Sequence, residues 1–140
     1  MINEIMTYKG AVQTSECDSN GHMNVMYYIN KFDLAGRNCG SAFGLKRKYL
    51  EDNNYGIAVV EQNIQYKREV FEDDLIHVMS SAVGHTNKVM HFQHHMYNSE
   101  NNELSAVMEI KLVIFDLNMR KAVPLPEVLV KNIQRVLKSK

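Results

Sequence analysis

Along most of the chain the apolar residues follow one of two rhythms. Between about Asn24 and Ala42, the residues Tyr28, Phe32, Ala35, Cys39 and Ala42 recur at spacings of four and three, which places them on one stripe of a helix. Asn24 is suited to cap the start of that helix, and Gly44 to close it. Gly36 and Gly40 fall inside it, where each costs roughly 1 kcal/mol relative to Ala. Small residues one turn apart are expected to let the helix lie very close to a sheet.

From Ile57 the rhythm shortens to two. In VVEQNIQYKREV, Val60, Ile64, Tyr66 and Val70 share one face of a strand, while Glu61, Asn63, Gln65, Lys67 and Glu69 share the other. DLIHVMSSAV and VMHFQHHMY read as two further strands joined by a tight connection at His85-Thr86-Asn87-Lys88. LSAVMEIKLVIFDL is apolar on both faces, as a central strand would be. Pro124 and Pro126 end the sheet region, and Leu129, Ile133 and Val136 mark a short amphipathic helix. The predicted order is strand, long helix, four long antiparallel strands, short helix, an α+β arrangement. One long helix cannot cover both faces of such a sheet. The sheet is therefore expected to wrap around it, and the surface left open favours association with a second copy.

Composition narrows the classes of function. At 140 residues and 45% hydrophobic content, the chain reads as a single domain, residues 1–140, with enough apolar material for a core of its own. Sixteen Lys and Arg balance sixteen Asp and Glu, so no overall field favours nucleic acid or an anionic membrane. Lys131, Arg135, Lys138 and Lys140 read as the solvated face of the last helix. Two cysteines do not make a disulfide framework, Glu4 interrupts what a leader peptide would need, and no run reaches transmembrane length. The expectation is a reduced, cytoplasmic protein.

Several familiar chemistries fail on geometry. His91 and His95 would share a strand face about 13 Å apart at ~3.3 Å per residue, with His94 pointing the other way, so they do not converge on a metal. No Gly-x-Ser-x-Gly elbow or glycine-rich phosphate cradle is present. Cys39 lies on the core stripe of the helix, where it reads as a small buried hydrophobe.

The stretch CDSNGHMNV, Cys17 to Val25, is left. It is good turn chemistry in its own right. It also places Asp18 just ahead of a helix that starts near Asn24 and points its free N–H groups back toward the loop. A helix N-terminus can stabilise an oxyanion, and a carboxylate facing it can act as nucleophile or as base toward water. Together these could hydrolyse an activated acyl group. Spacing leaves both the structural and the catalytic reading open.

DSNGHMNVMYYINKFDLA resembles the first loop and helix of hot-dog-fold acyl-CoA thioesterases of the 4-hydroxybenzoyl-CoA thioesterase type, with their pattern of Asp-x-x-Gly-His-x-Asn, a Tyr and a Phe-acidic pair. The resemblance runs on through IQYKREV, the His/Phe-rich fourth strand and FDLNMRKAVPLP, from about Val12 to Val130. It implies a hot-dog fold, an antiparallel sheet of about five strands around one long central helix. It also implies a homodimer or homotetramer with its active sites at the subunit interface. Carried over residue by residue, Asp18 matches the catalytic carboxylate and the Val25 N–H the carbonyl-polarising donor. His22 and Asn24 match the Gly-His-x-Asn signature, though His22 could equally tie down the loop and Asn24 cap the helix. Where the family has Gly-Asp entering its third strand, this chain has Asp73-Asp74.

Within the family, GHMNV-x-YY, KREV, KVMHFQHHMY and the late Asp-x-x-x-Arg look most like betainyl-CoA thioesterases of carnitine and betaine degradation. That likeness implies hydrolysis of betainyl-CoA with no metal or redox cofactor, CoA being part of the substrate. Lys67, Arg68, Arg120 and Lys121 are then candidate phosphate contacts, and Tyr27, Tyr28 and Tyr55 candidates for an aromatic cage around a trimethylammonium group. Each of these also reads as a solvated strand, core or interface residue. The rival readings are a thioesterase for other short-chain or aromatic acyl-CoA or acyl-carrier-protein substrates, and a hot-dog protein that binds acyl-CoA without cleaving it.

Overall fold

A computed structural model describes residues 3–139. The chain runs through β1 (Ile5–Ala11), one 3-10 turn (Thr14–Glu16), α1 (Val25–Ala42), α2 (Arg47–Asn53), β2 (Tyr55–Tyr66), β3 (Leu75–His85), β4 (Val89–Asn98), β5 (Leu104–Asp116), β6 (Lys121–Val123) and α3 (Glu127–Lys138). The strands form one sheet in the order β1-β3-β4-β5-β2, antiparallel throughout. The short β6 pairs with Ile114–Asp116, just beyond the point where β4 pairs Val89 with Val113, and so extends the line of β4. The expected architecture holds, with β6 as a sixth strand.

The two-residue rhythm is clearest on β4, where Met90, Phe92, His94 and Met96 are buried and alternate with half-exposed neighbours. Cross-strand partners share a face, so Ile76, Val78 and Ala82 of β3 and Ala106, Met108 and Ile110 of β5 join that buried side. Onto it α1 lays Tyr28, Phe32, Ala35 and Cys39. The stripe ends on Phe43, four residues after Cys39, and not on Ala42, which is exposed. Phe43 sits edge-on to Phe92, centroids 5.1 Å apart. Gly44 closes the helix at φ +110°, and Leu129, Ile133 and Val136 of α3 complete the core.

Three departures from the sequence pattern have physical reasons. A β-bulge lies between Val59 and Glu61, so the alternation changes phase at Val60. Ile57 and Val59, opposite Ile114 and Leu112, therefore share a face with Ile64 and Tyr66, and Val60 drops out of that set. Gly36 does not mark a close helix–sheet approach, since a Cβ there would meet nothing within 4 Å. It borders a cavity of about 500 Å³ between α1 and the sheet, walled by Phe32, Leu45, Ile57, Val59, Met90 and Phe92. The short α2 buries no residue completely, which is why it leaves no apolar stripe to read.

Asp73 takes the left-handed conformation, φ +67°, that a glycine would adopt without cost. The turn forms nonetheless: Asp73 N–H donates to the Val12 carbonyl at 2.9 Å, and Asp74 accepts from the Phe71 N–H at 2.8 Å.

His94 is buried against Phe32 and shares a hydrogen bond with Ser80, which in turn bonds Thr7. Burial, helped by His95, holds its pKa down to about 4 against an ordinary 6.5. The native state thus refuses a proton that the unfolded chain accepts below pH 6.5. Stability should be full above that pH and fall by on the order of 3 kcal/mol as pH drops to 4. Denaturant titrations at pH 7 and pH 4 should show this loss in the wild type and a smaller one in His94→Gln.

Candidate active site

The stretch from Cys17 to Asn24 folds as a miniature hairpin. Cys17 bridges Met23, the Asp18 N–H donates to the His22 carbonyl at 3.0 Å, and the Gly21 N–H donates to the Asp18 carbonyl at 2.9 Å. Gly21 carries φ +85° at the tip. Asp18 Oδ1 accepts from the Asn20 N–H at 2.8 Å, the local bond that Asx residues make two positions on. The hairpin is tied on both flanks. Asn24 N–H donates to the Glu16 carbonyl at 2.8 Å, and Met23 N–H to the Val70 carbonyl at 2.9 Å.

Asn24 joins the loop to the helix. Its Oδ1 accepts from the Met26 N–H at 3.0 Å, an N-cap, while its Nδ2 donates to Asp18 Oδ2 at 3.0 Å. One amide thus holds the carboxylate and the helix terminus in a fixed relation. The Tyr27 N–H turns back to the Asn24 carbonyl, and among the described residues none accepts from the Val25 N–H. The Asn24 amide, then the Asn20 N–H, then His22 hold the Asp18 carboxyl below its usual range, so it is ionised at neutral pH.

His22 stands between two carboxylates. Its Nδ1 lies 2.7 Å from Glu69 Oε1 and its Nε2 3.8 Å from Asp18 Oδ1. Glu69 belongs to the segment after β2, which is held against the hairpin by the bridge between His22 and Phe71. A hollow of about 260 Å³ opens here among His22, Val25, Tyr28, Tyr66, Arg68 and Glu69. Tyr28 and Tyr66 meet edge to face in it, centroids 5.1 Å apart.

Beneath the hairpin, Glu16 and Lys31 form a buried ion pair. Glu16 also accepts the Gln13 N–H at 2.8 Å, and the Lys31 ammonium lies 5.7 Å from the Tyr8 ring centroid. Cys39 is buried deeply enough to push its thiol up to about 12, which leaves it a packing residue. Among the described residues no group of three or more His, Cys, Asp and Glu side chains is placed to hold a metal ion, and no helix is long and apolar enough to cross a membrane.

Of the residues singled out from sequence, the structure gathers Asp18, His22, Asn24, the Val25 N–H, Tyr28, Lys67 and Arg68 at this end of the molecule. Lys67 and Arg68 both donate their N–H groups to the Ser105 carbonyl. Tyr27, one residue from Tyr28, packs partly against the core. Tyr55 is placed elsewhere: it packs on Tyr49 at the opposite end of β2. Arg120 and Lys121 are at that far end too, because Tyr55 pairs with Asp116 and Asp116 with Lys121. Within one chain these three do not border the hairpin. The strand pattern gave no sign that Tyr66 and Glu69 would, because the hairpin they meet is more than forty residues away in sequence. Glu16 and Lys31 are not singled out from sequence either, because their pairing across fifteen residues leaves no mark in the apolar pattern.

The sequence model of the thioesterase-like superfamily matches residues 12–133. A betainyl-CoA thioesterase of Pseudomonas aeruginosa is 24% identical over 124 residues, 89% of this chain and 78% of that protein. Among solved structures, a Staphylococcus aureus protein determined in complex with CoA superposes with a TM-score of 0.88 at 19% identity, covering 100% of this chain and 89% of that one. A 1,4-dihydroxy-2-naphthoyl-CoA thioesterase from Synechocystis superposes with a TM-score of 0.80 at 17% identity, over 94% of this chain and 96% of that one. These structural likenesses establish the hot-dog fold.

Replacing Asn24 by Ala removes the helix cap and the amide that holds Asp18. Stability should fall by about 1 kcal/mol, read by thermal denaturation. The Asp18 carboxyl should titrate nearer its ordinary value, read by carboxyl-carbon NMR.

Proposed function

The chain belongs to the thioesterase-like superfamily and is a thioester hydrolase, and from that premise we propose that the hairpin at the start of α1 hydrolyses acyl-CoA, with betainyl-CoA as its substrate. The observation that carries the reading is the Asn24 side chain, which fixes an ionised Asp18 against a helix terminus where no described residue accepts from the Val25 N–H. A thioester carbonyl set between them would place its oxygen at the Val25 N–H and its carbon before Asp18. Charge developing on the oxygen then meets a donor and the positive end of the helix dipole, which need not reorganise. Asp18 attacks the carbon or takes a proton from the water that does. The reading requires no metal or redox cofactor, and CoA enters as part of the substrate.

The cationic acyl group is favoured by the P. aeruginosa relative and by the hollow beside the hairpin. Tyr28 and Tyr66 line it with aromatic rings, alongside the charged Lys67, Arg68 and Glu69. Aromatic rings attract a quaternary ammonium. The cage is thus assigned to Tyr28 and Tyr66. A second reading draws on the apolar 500 Å³ cavity under the C-terminal half of α1, which suits a neutral acyl chain on CoA or an acyl-carrier protein. The two are separated by betainyl-CoA and its neutral isostere 3,3-dimethylbutanoyl-CoA. A cation–π preference of about 1–2 kcal/mol corresponds to roughly 5- to 30-fold in kcat/KM for the betainyl ester. Equal rates, or a preference for the neutral ester, would exclude the betainyl reading. Asp18→Asn should lose roughly 1,000-fold or more in thiol release while keeping its fold. CoA bound tightly with no thiol released from any ester would mark a binder and not an enzyme.

Pairing between two copies through β2 completes the proposal. Among the described residues its outer edge has no strand partner, and Ile57, Val59 and Val60 on it are exposed, as are Val25, Met26 and Ile29 on the nearby helix. Antiparallel pairing of two β2 strands would carry the Tyr55 end of one protomer beside the Tyr66 end of the other. Tyr55, Arg120 and Lys121 would then approach the opposite hairpin, where a CoA phosphate could meet them. Val60→Lys should abolish the pairing. Sedimentation should then show a single chain where the wild type runs at twice that mass, with KM for acyl-CoA raised.

A further inference from the structure

Glu69 lies outside the loop that carries the family signature, yet it is the residue to which His22 is tied. The 2.7 Å contact from Nδ1 to Glu69 Oε1 is the shorter of the two that His22 makes. A carboxylate accepts and does not donate, so the proton of a neutral imidazole sits on Nδ1 and the lone pair of Nε2 faces Asp18. The placement is built by the main chain. The His22–Phe71 bridge and the Met23-to-Val70 hydrogen bond lock the hairpin to the segment that begins at Glu69. We propose that Glu69 is the positioning residue of the site, holding His22 so that Asp18, His22 and Glu69 form a carboxylate–imidazole–carboxylate series that carries the reaction proton.

This rests on the thioesterase reading and on water as the attacking group. Asp18 takes one proton from water as the oxygen bonds to the thioester carbon. The 3.8 Å gap from Asp18 to Nε2 closes by a small ring movement, as catalytic hydrogen bonds commonly tighten once substrate is bound. The proton passes to Nε2, and Glu69 stabilises the imidazolium so formed. When the C–S bond breaks, the imidazolium returns the proton to the departing CoA sulfur. One O–H and one C–S bond are broken, one C–O and one S–H bond are made, and the enzyme ends as it began. A carboxyl held below its ordinary range is a poor store for that proton, which gives the imidazole a reason to take it.

The charges that face His22 are Asp18 from the hairpin and Glu69, Lys67 and Arg68 from the segment after β2, with Glu16 and Glu72 behind Cys17. Glu69 is the only one of these within hydrogen-bonding distance of a ring nitrogen, so removing its charge should act on His22 most directly. It is largely exposed, and screening keeps the effect moderate.

Wild type, Glu69→Gln and, as control, Glu72→Gln would be compared for kcat and KM of thiol release from acyl-CoA, together with nitrogen-15 NMR of the His22 ring. The relay expects the Nδ1–H tautomer in the wild type. In Glu69→Gln it expects kcat down roughly 10-fold with KM unchanged within about twofold, and the nitrogen-15 spectrum of His22 moved away from the Nδ1–H tautomer. Glu72→Gln should match the wild type. An Nε2–H tautomer in the wild type, an unchanged tautomer in Glu69→Gln, or the same loss of kcat in Glu72→Gln would each overturn the relay. A wild type that releases no thiol from any acyl-CoA would overturn the thioesterase reading and the relay with it. An active wild type matched by Glu69→Gln would overturn the relay alone.

Discussion

Taking an ammonium or a carboxylate out of water costs several kcal/mol, and the cost is met only where each finds the other with its remaining valences satisfied. Glu16 and Lys31 are buried together, Glu16 also accepting the Gln13 N–H and Lys31 lying over the Tyr8 ring. Because Lys31 is fixed within α1 and Glu16 directly precedes the hairpin, their pairing settles how far the loop can slide along the helix. The main chain of Glu16 repeats the restraint by accepting the Asn24 N–H. A hydrophobic contact at this point would hold the two elements together without fixing their register. An ion pair with one short geometry fixes it, and everything that Asp18 can reach depends on that.

Given this register, a single side chain sets the electrostatics. Asn24 spends its oxygen on the helix and its nitrogen on Asp18, so carboxylate and helix terminus cannot drift apart without losing both bonds. The same bond that positions Asp18 also makes it less basic. The consequence is a carboxylate firmly placed and modest in proton affinity, and in the proposed relay the neighbouring imidazole takes the proton that this carboxylate holds poorly.

How much of this could be read from the chain depended on whether the information was local. The stripe from Tyr28 to Cys39 and the alternation of β3, β4 and β5 are local, and the structure follows them. Asn24 as a cap and Gly44 as a stop were legible for the same reason. The bulge at Val60 was not, since one extra residue leaves composition unchanged and shifts only the phase. Gly36 and Gly40 suggested close packing because small size is visible in sequence, whereas the cavity beside them depends on three strands and two helices at once. In the site, Asp18 and His22 came with a recognisable spacing. Glu69, Tyr66 and the buried Glu16–Lys31 pair become meaningful only after the chain has folded back on itself.

The β2 edge carries a consequence of a different kind. Ile57-Ala58-Val59-Val60 is a short, uncharged, β-prone run on an edge that no strand among the described residues covers. Such a run will template on any extended segment that meets it, including another half-folded copy of the same chain. Its defences are the bulge at Val60, which spoils a flat continuous edge, and the charged Glu61 that follows, paired with Lys111. Under the proposed pairing, a freshly made chain is therefore in a race between pairing and aggregation. The same exposed edge would make the yield of native protein sensitive to how fast, and at what concentration, the chain is produced.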